Sequence, residues 1–279
     1  MAFRGDSALY GDWFSPEQDE FDMATAIARV YTPEGFVVAA DGRKINHSNP
    51  SDIQDTAQKI LPVQSEWVDL ACSFAGAVIL TDDDTNESVF DFLPETARAS
   101  QELTARSCQN VFDYAGRWSK LINAQLNAAK STGRFREYPS IRLRDQRGST
   151  IALVYLDGFY EGIPRRLLMR FFHEDQKLYV PEVSPQKLAL GRPLLYGPAP
   201  VEALLDRRDP RLTRYATPQG TAVSVESGIE ICKNFVAACA SPEALEIDPQ
   251  CASVGGHIHI ATITPDAGFK WAIPPIQAG

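Results

Sequence analysis

Cysteine is scarce in this 279-residue chain, and what there is shows no pairing pattern. The five residues, Cys72, Cys108, Cys232, Cys239 and Cys251, are odd in number and widely scattered, and none forms a CxxC pair. That removes the strongest zinc and thioredoxin-type signatures. Cys72 lies in the apolar run 70–74, and Cys232 and Cys239 fall seven apart in a helical pattern, so all read as buried free thiols of a reducing compartment, the cytoplasm by default. Histidine is scarcer still. His257 and His259 lie two apart and would share one face of a strand, but no third ligand stands at a recognisable spacing, so neither a metal nor a cofactor is expected. Long apolar runs are missing: none approaches the ~20 residues that cross a bilayer. The chain does not start with a charged stretch followed by an apolar core, so secretion is not expected. An excess of positive charge is also missing. The formal net charge is -9, and the basic run Arg207, Arg208, Arg211, Arg214 is broken by Asp206 and Asp209, which excludes a nucleic-acid partner held through phosphates. No linker and no internal repeat divides the chain.

What is present is an ordinary globular composition, 44% hydrophobic, in a length that buries one sizeable core. Residues 1–22 are polar and acidic with glycine and proline breakers, and read as an N-terminal extension or propeptide. Ordered structure is expected over 23–279. Apolar runs at 24–31 and 36–40, joined by a Thr32-Pro33-Glu34-Gly35 turn, predict a β-hairpin. Residues 44–58 read as loop, 59–63 and 67–74 as strands. A helical region spans 86–131, its later half carrying Val111, Tyr114, Trp118, Leu121 and Ile122 on one stripe. Strands follow at 150–155, 167–173, 178–180 and 188–191, with a hairpin turn at 174–177. A helix begins near Pro198, and a long one covers 222–239. Strands at 257–263 and 269–273 close the chain. Strands grouped in hairpins and helices in separate blocks predict an α+β layered domain, two sheets between helix pairs.

Residues 25–43 read TAIARVYTPEGFVVAADGR, and this segment resembles the opening hairpin of proteasome-type β subunits, where a nucleophilic threonine starts the first strand and an Ala-Ala-Asp-x-Arg signature ends the second. Lys59-Ile-Leu-Pro-Val matches the family's lysine element. Ala75-Gly76 matches the turn whose glycine N–H forms the oxyanion hole, and 254–256 with 268–271 match the closing hairpin of bacterial members. The resemblance covers most of 23–273. It implies membership of the proteasome β-subunit-like family of Ntn hydrolases and a four-layer αββα sandwich. The residue roles it implies are Thr25 as nucleophile, Asp41 as orienting carboxylate, Lys59 as the assisting lysine, Gly76 as oxyanion donor and Arg43 packed around Asp41. Asp248 and Ser253 are candidates for the family's supporting Asp and Ser.

The chemistry explains the grouping. A threonine hydroxyl is a poor nucleophile without a base. A free α-amine on the same residue, with a pKa near ~7.7–8.0, takes the proton close to neutral pH. A lysine ammonium keeps that amine neutral, and a buried aspartate fixes the lysine. The α-amine requires cleavage of the Ala24–Thr25 bond. The resemblance therefore implies a threonine peptidase acting on peptides or unfolded proteins inside a homo-oligomeric ring. A non-catalytic assembly subunit that keeps its leader, and an Ntn amidohydrolase of small amides, are the alternatives.

Overall fold

Strands β1 (Ile27–Thr32) and β2 (Gly35–Ala40) form the expected hairpin, paired in register from Ile27 opposite Ala40 to Thr32 opposite Gly35. The structure is a computed structural model, which describes residues 25–46, 49–76, 79–82, 85, 88–103, 108–132, 149–173, 179–216 and 221–276. The leader 1–22 and the turn 174–177 lie outside the described residues.

Alternation along this hairpin separates two cores. Ala26, Ala28, Val30, Val37 and Ala39 pack with Cys232, Phe235 and Val236 of a long helix. The intervening Ile27, Phe36, Val38 and Ala40 meet Ile60, Ala71, Ala75, Leu153, Tyr155 and Phe159 of a second sheet. Burial on both faces is why these strands read as continuous apolar runs rather than alternating ones.

After the short strands β3 (Lys44–Asn46) and β4 (Asn49–Gln54) come β5 (Ile60–Ser65), β6 (Val68–Gly76), β7 (Ile79–Thr81) and β8 (Ser88–Asp91). Helices α1 (Phe92–Glu102) and α2 (Val111–Ser131) follow, each started by a side chain that accepts backbone N–H groups: Asp91 from Leu93, and Asn110 from Phe112 and Asp113. Such caps satisfy N–H groups left open in the first turn. Strands β9 (Ser149–Tyr160), β10 (Ile163–His173), β11 (Tyr179–Pro185) and β12 (Leu194–Tyr196) lead to α3 (Ala199–Asp206), α4 (Val225–Cys239), α5 (Pro242–Ile247), β13 (His259–Thr264) and β14 (Gly268–Ile273). One five-stranded sheet runs β12-β1-β2-β13-β14 and the other β11-β10-β9-β6-β5, with the pairs β3-β4 and β7-β8 separate. Tyr114, Trp118, Ile122 and Leu126 of α2 cover the outer face of the second sheet, against Leu70, Cys72, Phe74, Val154 and Met169.

The expected four-layer αββα Ntn hydrolase sandwich needs correction. Antiparallel sheet dominates the described residues, in two five-stranded and two two-stranded sheets, and the helices are not two matched pairs. Against the first sheet lies one long helix, α4, accompanied by the short α3 and α5 and by 3-10 turns at Pro210–Tyr215 and Pro249–Ser253. Two readings contribute to the difference. Residues 44–58, read as loop, hold the β3-β4 pair, and residues 88–91, read as the start of a helix, are instead β8. In both, pairing satisfies the backbone of segments too short to show a strand period in their side chains. The strand expected at 188–191 is reduced to a single bridge between Leu190 and Tyr31.

Candidate active site

Four of the candidate residues stand at strand ends that face the same way. Thr25 precedes β1, Asp41 follows β2, Lys59 precedes β5 and Gly76 closes β6. Antiparallel register dictates the first adjacency: the N–H of Asp41 donates to the carbonyl of Ala26 at 3.1 Å. It dictates the second too, since Phe74 N–H donates to the Lys59 carbonyl at 3.1 Å, which leaves Gly76 two residues further along at the same end. Gly76 has φ +92°, a backbone state that favours glycine.

The carboxylate of Asp41 is the hub. Its Oδ1 accepts from Lys59 Nζ at 2.9 Å and from the backbone N–H of Ala26 at 3.1 Å. Its Oδ2 accepts from the backbone N–H groups of Arg43 and Gly255, each at 3.2 Å. Asp41 and Lys59 are both buried, and so is Thr25, at 5% exposure. A buried ion pair gains little net stability over an apolar pair, yet loss of one partner strands a charge. Here the carboxylate has three N–H donors besides the lysine, so the two partners are unequally supported.

Three elements hold this hub. The carbonyl of Gly255 accepts Gly42 N–H at 2.9 Å, and the carbonyl of Asp55 accepts His257 N–H at 2.8 Å. Gly256, at φ +70°, lies so close to the Asp55 backbone that a Cβ would stand 2.4 Å from its carbonyl oxygen. His259 completes the arrangement: its Nε2 accepts the backbone N–H of Lys59 at 3.0 Å. An accepting Nε2 places the ring proton on Nδ1, which faces the His257 carbonyl at 3.4 Å. Burial, with Lys59 nearby, pushes the His259 pKa down to about 4, so the ring is neutral at physiological pH.

Arg43 is placed differently from its expected role. Its backbone N–H serves Asp41, but its guanidinium pairs with Asp55 at 2.7 Å and donates to the Ala252 carbonyl at 3.1 Å. Hydrogen bonding from Arg43 holds the Asp55 carboxyl below its usual range. Asp248 and Ser253 are engaged in the 3-10 turn before β13: Asp248 accepts Gln250 N–H at 3.0 Å, and Ser253 donates to the Gln250 carbonyl at 2.8 Å. His257 precedes β13, of which His259 is the first residue, and the His257 Nε2 lies 2.7 Å from the Pro274 carbonyl. Among the described residues no three His, Cys, Asp or Glu side chains converge as a metal site. No helix among them is long and apolar enough to cross a membrane.

Sequence reasoning missed Gly255, Asp55 and the partner of His259. The Gly255–Gly256 pair was a visible signal of a tight turn, but nothing in it names Asp41 as its target, 214 residues away.

The fold is shared with solved structures of Anbu proteins. In particular, the chain is similar to the Anbu complex of Pseudomonas aeruginosa, whose structure is described as a helical assembly, with TM-score 0.52, 11% identity, and coverage of 91% of this chain and 87% of that one. It is also similar to Anbu (ancestral beta-subunit) from Yersinia bercovieri, with TM-score 0.50, 12% identity, and coverage of 89% and 87%. At these identities the likeness is one of fold. No family model matches the sequence, and no curated protein does. The expected membership of the proteasome β-subunit family is corrected by these matches, because Anbu proteins are proteasome-like but a distinct family. The motifs behind that expectation describe strand ends around one site, and such ends do not discriminate among proteins built on them.

Proposed function

We propose that this chain is a threonine peptidase whose nucleophile is Thr25, released by cleavage of the Ala24–Thr25 bond. The observation that carries the reading is the buried Lys59–Asp41 pair, whose shared oxygen also holds the N–H of Ala26, the residue next to Thr25. That oxygen ties the lysine to the start of β1. In the reaction, the freed α-amine takes the Thr25 hydroxyl proton as the oxygen attacks a peptide carbonyl. The oxyanion formed is met by the N–H of Gly76, an effect worth about 2.7–4 kcal/mol for one such donor. The amine of the leaving peptide departs with the proton, and water then hydrolyses the ester on Thr25. Lys59 keeps the α-amine neutral by its charge, and Asp41 positions Lys59. Cleavage there would remove residues 1–24, the extension 1–22 among them, and no metal or cofactor takes part.

Self-association into a compartment would confine this activity, and the assembled state of the Pseudomonas Anbu complex supports it. The cytoplasm is the proposed location. Mass spectrometry of the purified protein tests the reading together with turnover of fluorogenic peptides. A mature N-terminus at Thr25 with turnover is expected; an intact leader and no turnover would refute it. A second reading, an assembly subunit that retains its leader, is favoured by the burial of Thr25, and the same measurement separates the two.

A further inference from the structure

Between the two sheets, away from the Lys59–Asp41 site, lies a second group of buried charges that the proposed reaction does not use. Asp157 on β9 stands directly opposite Arg166 on β10. The carboxylate accepts from Arg166 Nε on one oxygen and from Arg29 Nη1, reaching across from β1, at 3.1 Å on the other. Arg29 and Asp157 side chains are 4% and 0% exposed, and that of Arg166 is 0% exposed. Arg29 Nη2 also donates to Gln186 Oε1 at 3.2 Å.

The charges do not balance. A guanidinium does not lose its proton in a protein, so two positive charges face one carboxylate. Burial alone would raise the Asp157 carboxyl, but Arg166 and Arg29 outweigh it and hold it below its ordinary value. Asp157 is therefore fully ionised and has no further charge to offer. The other titratable groups around the triad supply none. Burial pushes the Tyr155 hydroxyl up to about 12 and drives those of Tyr196 and the thiols of Cys72 and Cys232 upward as well.

Hydrogen bonding is incomplete in the same place. Arg29 Nε and Arg166 Nη1 and Nη2 are buried without a protein partner, as is Ser73 Oγ on the neighbouring β6. Aromatic faces offset part of the charge: the Arg29 guanidinium lies 3.7 Å from the Tyr155 ring centroid and that of Arg166 5.7 Å from Phe36. A ring face satisfies charge but not N–H donors in the guanidinium plane. An unpaired buried charge with open donors is among the costliest arrangements in a protein interior.

We propose that Arg29 and Arg166 hold a small monovalent anion of the halide class between the sheets. One such ion balances the triad and accepts several N–H groups at once. Complete burial excludes a peptide or a phosphorylated ligand, and an uncharged water would leave the excess charge in place. The ion is a structural ligand that ties β1 of one sheet to β10 of the other.

Thermal unfolding of the full chain in sodium bromide and in sodium gluconate at equal ionic strength tests this. An ion released on unfolding raises the midpoint with halide concentration, by about 3 °C for each tenfold rise above its dissociation constant. Crystals grown in bromide should carry an anomalous peak within hydrogen-bond distance of both guanidiniums. The Arg166→Met variant removes the excess charge and two open donors, and its midpoint should be the same in both salts. Equal midpoints for the unmodified chain in bromide and gluconate, or water alone beside the guanidiniums in bromide-grown crystals, would overturn the proposal. These two measurements decide it even where Arg166→Met does not fold, and neither depends on peptidase activity.

Discussion

The backbone N–H of Lys59 donates to Nε2 of His259, two residues 200 apart in the chain. Lys59 thus enters β5 held at both ends: its ammonium by Asp41 from the β1-β2 hairpin, its backbone by the first residue of β13. The candidate site is assembled only when the C-terminal hairpin docks beside the N-terminal one.

That contact sets a pH dependence. The His259 pKa is lowered by burial from 6.5 to about 4, so between those values the unfolded chain binds a proton that the folded chain does not. Stability contributed by neutral His259 is fully present above pH 6.5 and is lost as pH falls toward 4, by about 3 kcal/mol in all. Denaturant unfolding from pH 4 to 7 should show this slope, and His259→Gln should flatten it. A slope unchanged in the variant would remove His259 as its source.

The Asp41–Lys59 pair should respond unequally to its two removals. Asp41→Asn strands a buried ammonium and turns an amide N–H toward the donors of Arg43 or Gly255, and is expected to cost about 3–5 kcal/mol. Lys59→Met leaves the carboxylate with three backbone N–H donors, and should cost less. Both should abolish peptide turnover. Unfolding midpoints in urea check the order, and equal losses would contradict the unequal support seen around the carboxylate.

Thr25→Ala should leave the unfolding midpoint within about 1 kcal/mol of the unmodified chain, as for a small change without cavity or stranded charge. Turnover should fall to background, and the leader should stay attached if its removal depends on the Thr25 hydroxyl. Residual turnover at the unmodified rate would place the nucleophile elsewhere.

Gly256→Ala tests the turn that carries Gly255 to Asp41. With φ +70° and a Cβ 2.4 Å from the Asp55 carbonyl oxygen, the substitution must move backbone, at a cost of about 1–3 kcal/mol. Because the turn also delivers the Gly255 N–H, turnover should drop alongside stability. Calorimetry and a peptide assay on the same preparation measure both.

Much of the fold was legible from pattern. The β1-β2 hairpin, β5, β6, α2 and α4 follow from apolar periodicity and from turn residues at Pro33–Gly35. The helix starts were not legible: the helices read from 86 and from 222 include α2 and α4, which begin at Val111 and Val225, where Asn110 and Ser224 accept first-turn N–H groups. The β3-β4 and β7-β8 pairs were not legible, because β3-β4 pairs polar segments through the backbone and β7 and β8 are too short to show a strand period. Nor was the short, broken character of the helices around α4, where Pro210, Pro242 and Pro249 each begin a separate turn.

Of the candidate site, residue types and strand-end positions came from the sequence alone: a threonine before one strand, an aspartate after the next, a lysine before a third. Local chemistry determines these, since strand ends are set by neighbouring residues. Only the tertiary structure decided which donors Asp41 gathers, that Arg43 turns to Asp55, that Lys59 rests on His259, and that Arg29 crosses between sheets to Asp157. Apart from the Arg43 N–H, two residues from Asp41, those pairings join residues from 12 to 214 positions apart. Their partners are selected by sheet register and layer packing, which no local stretch of sequence encodes.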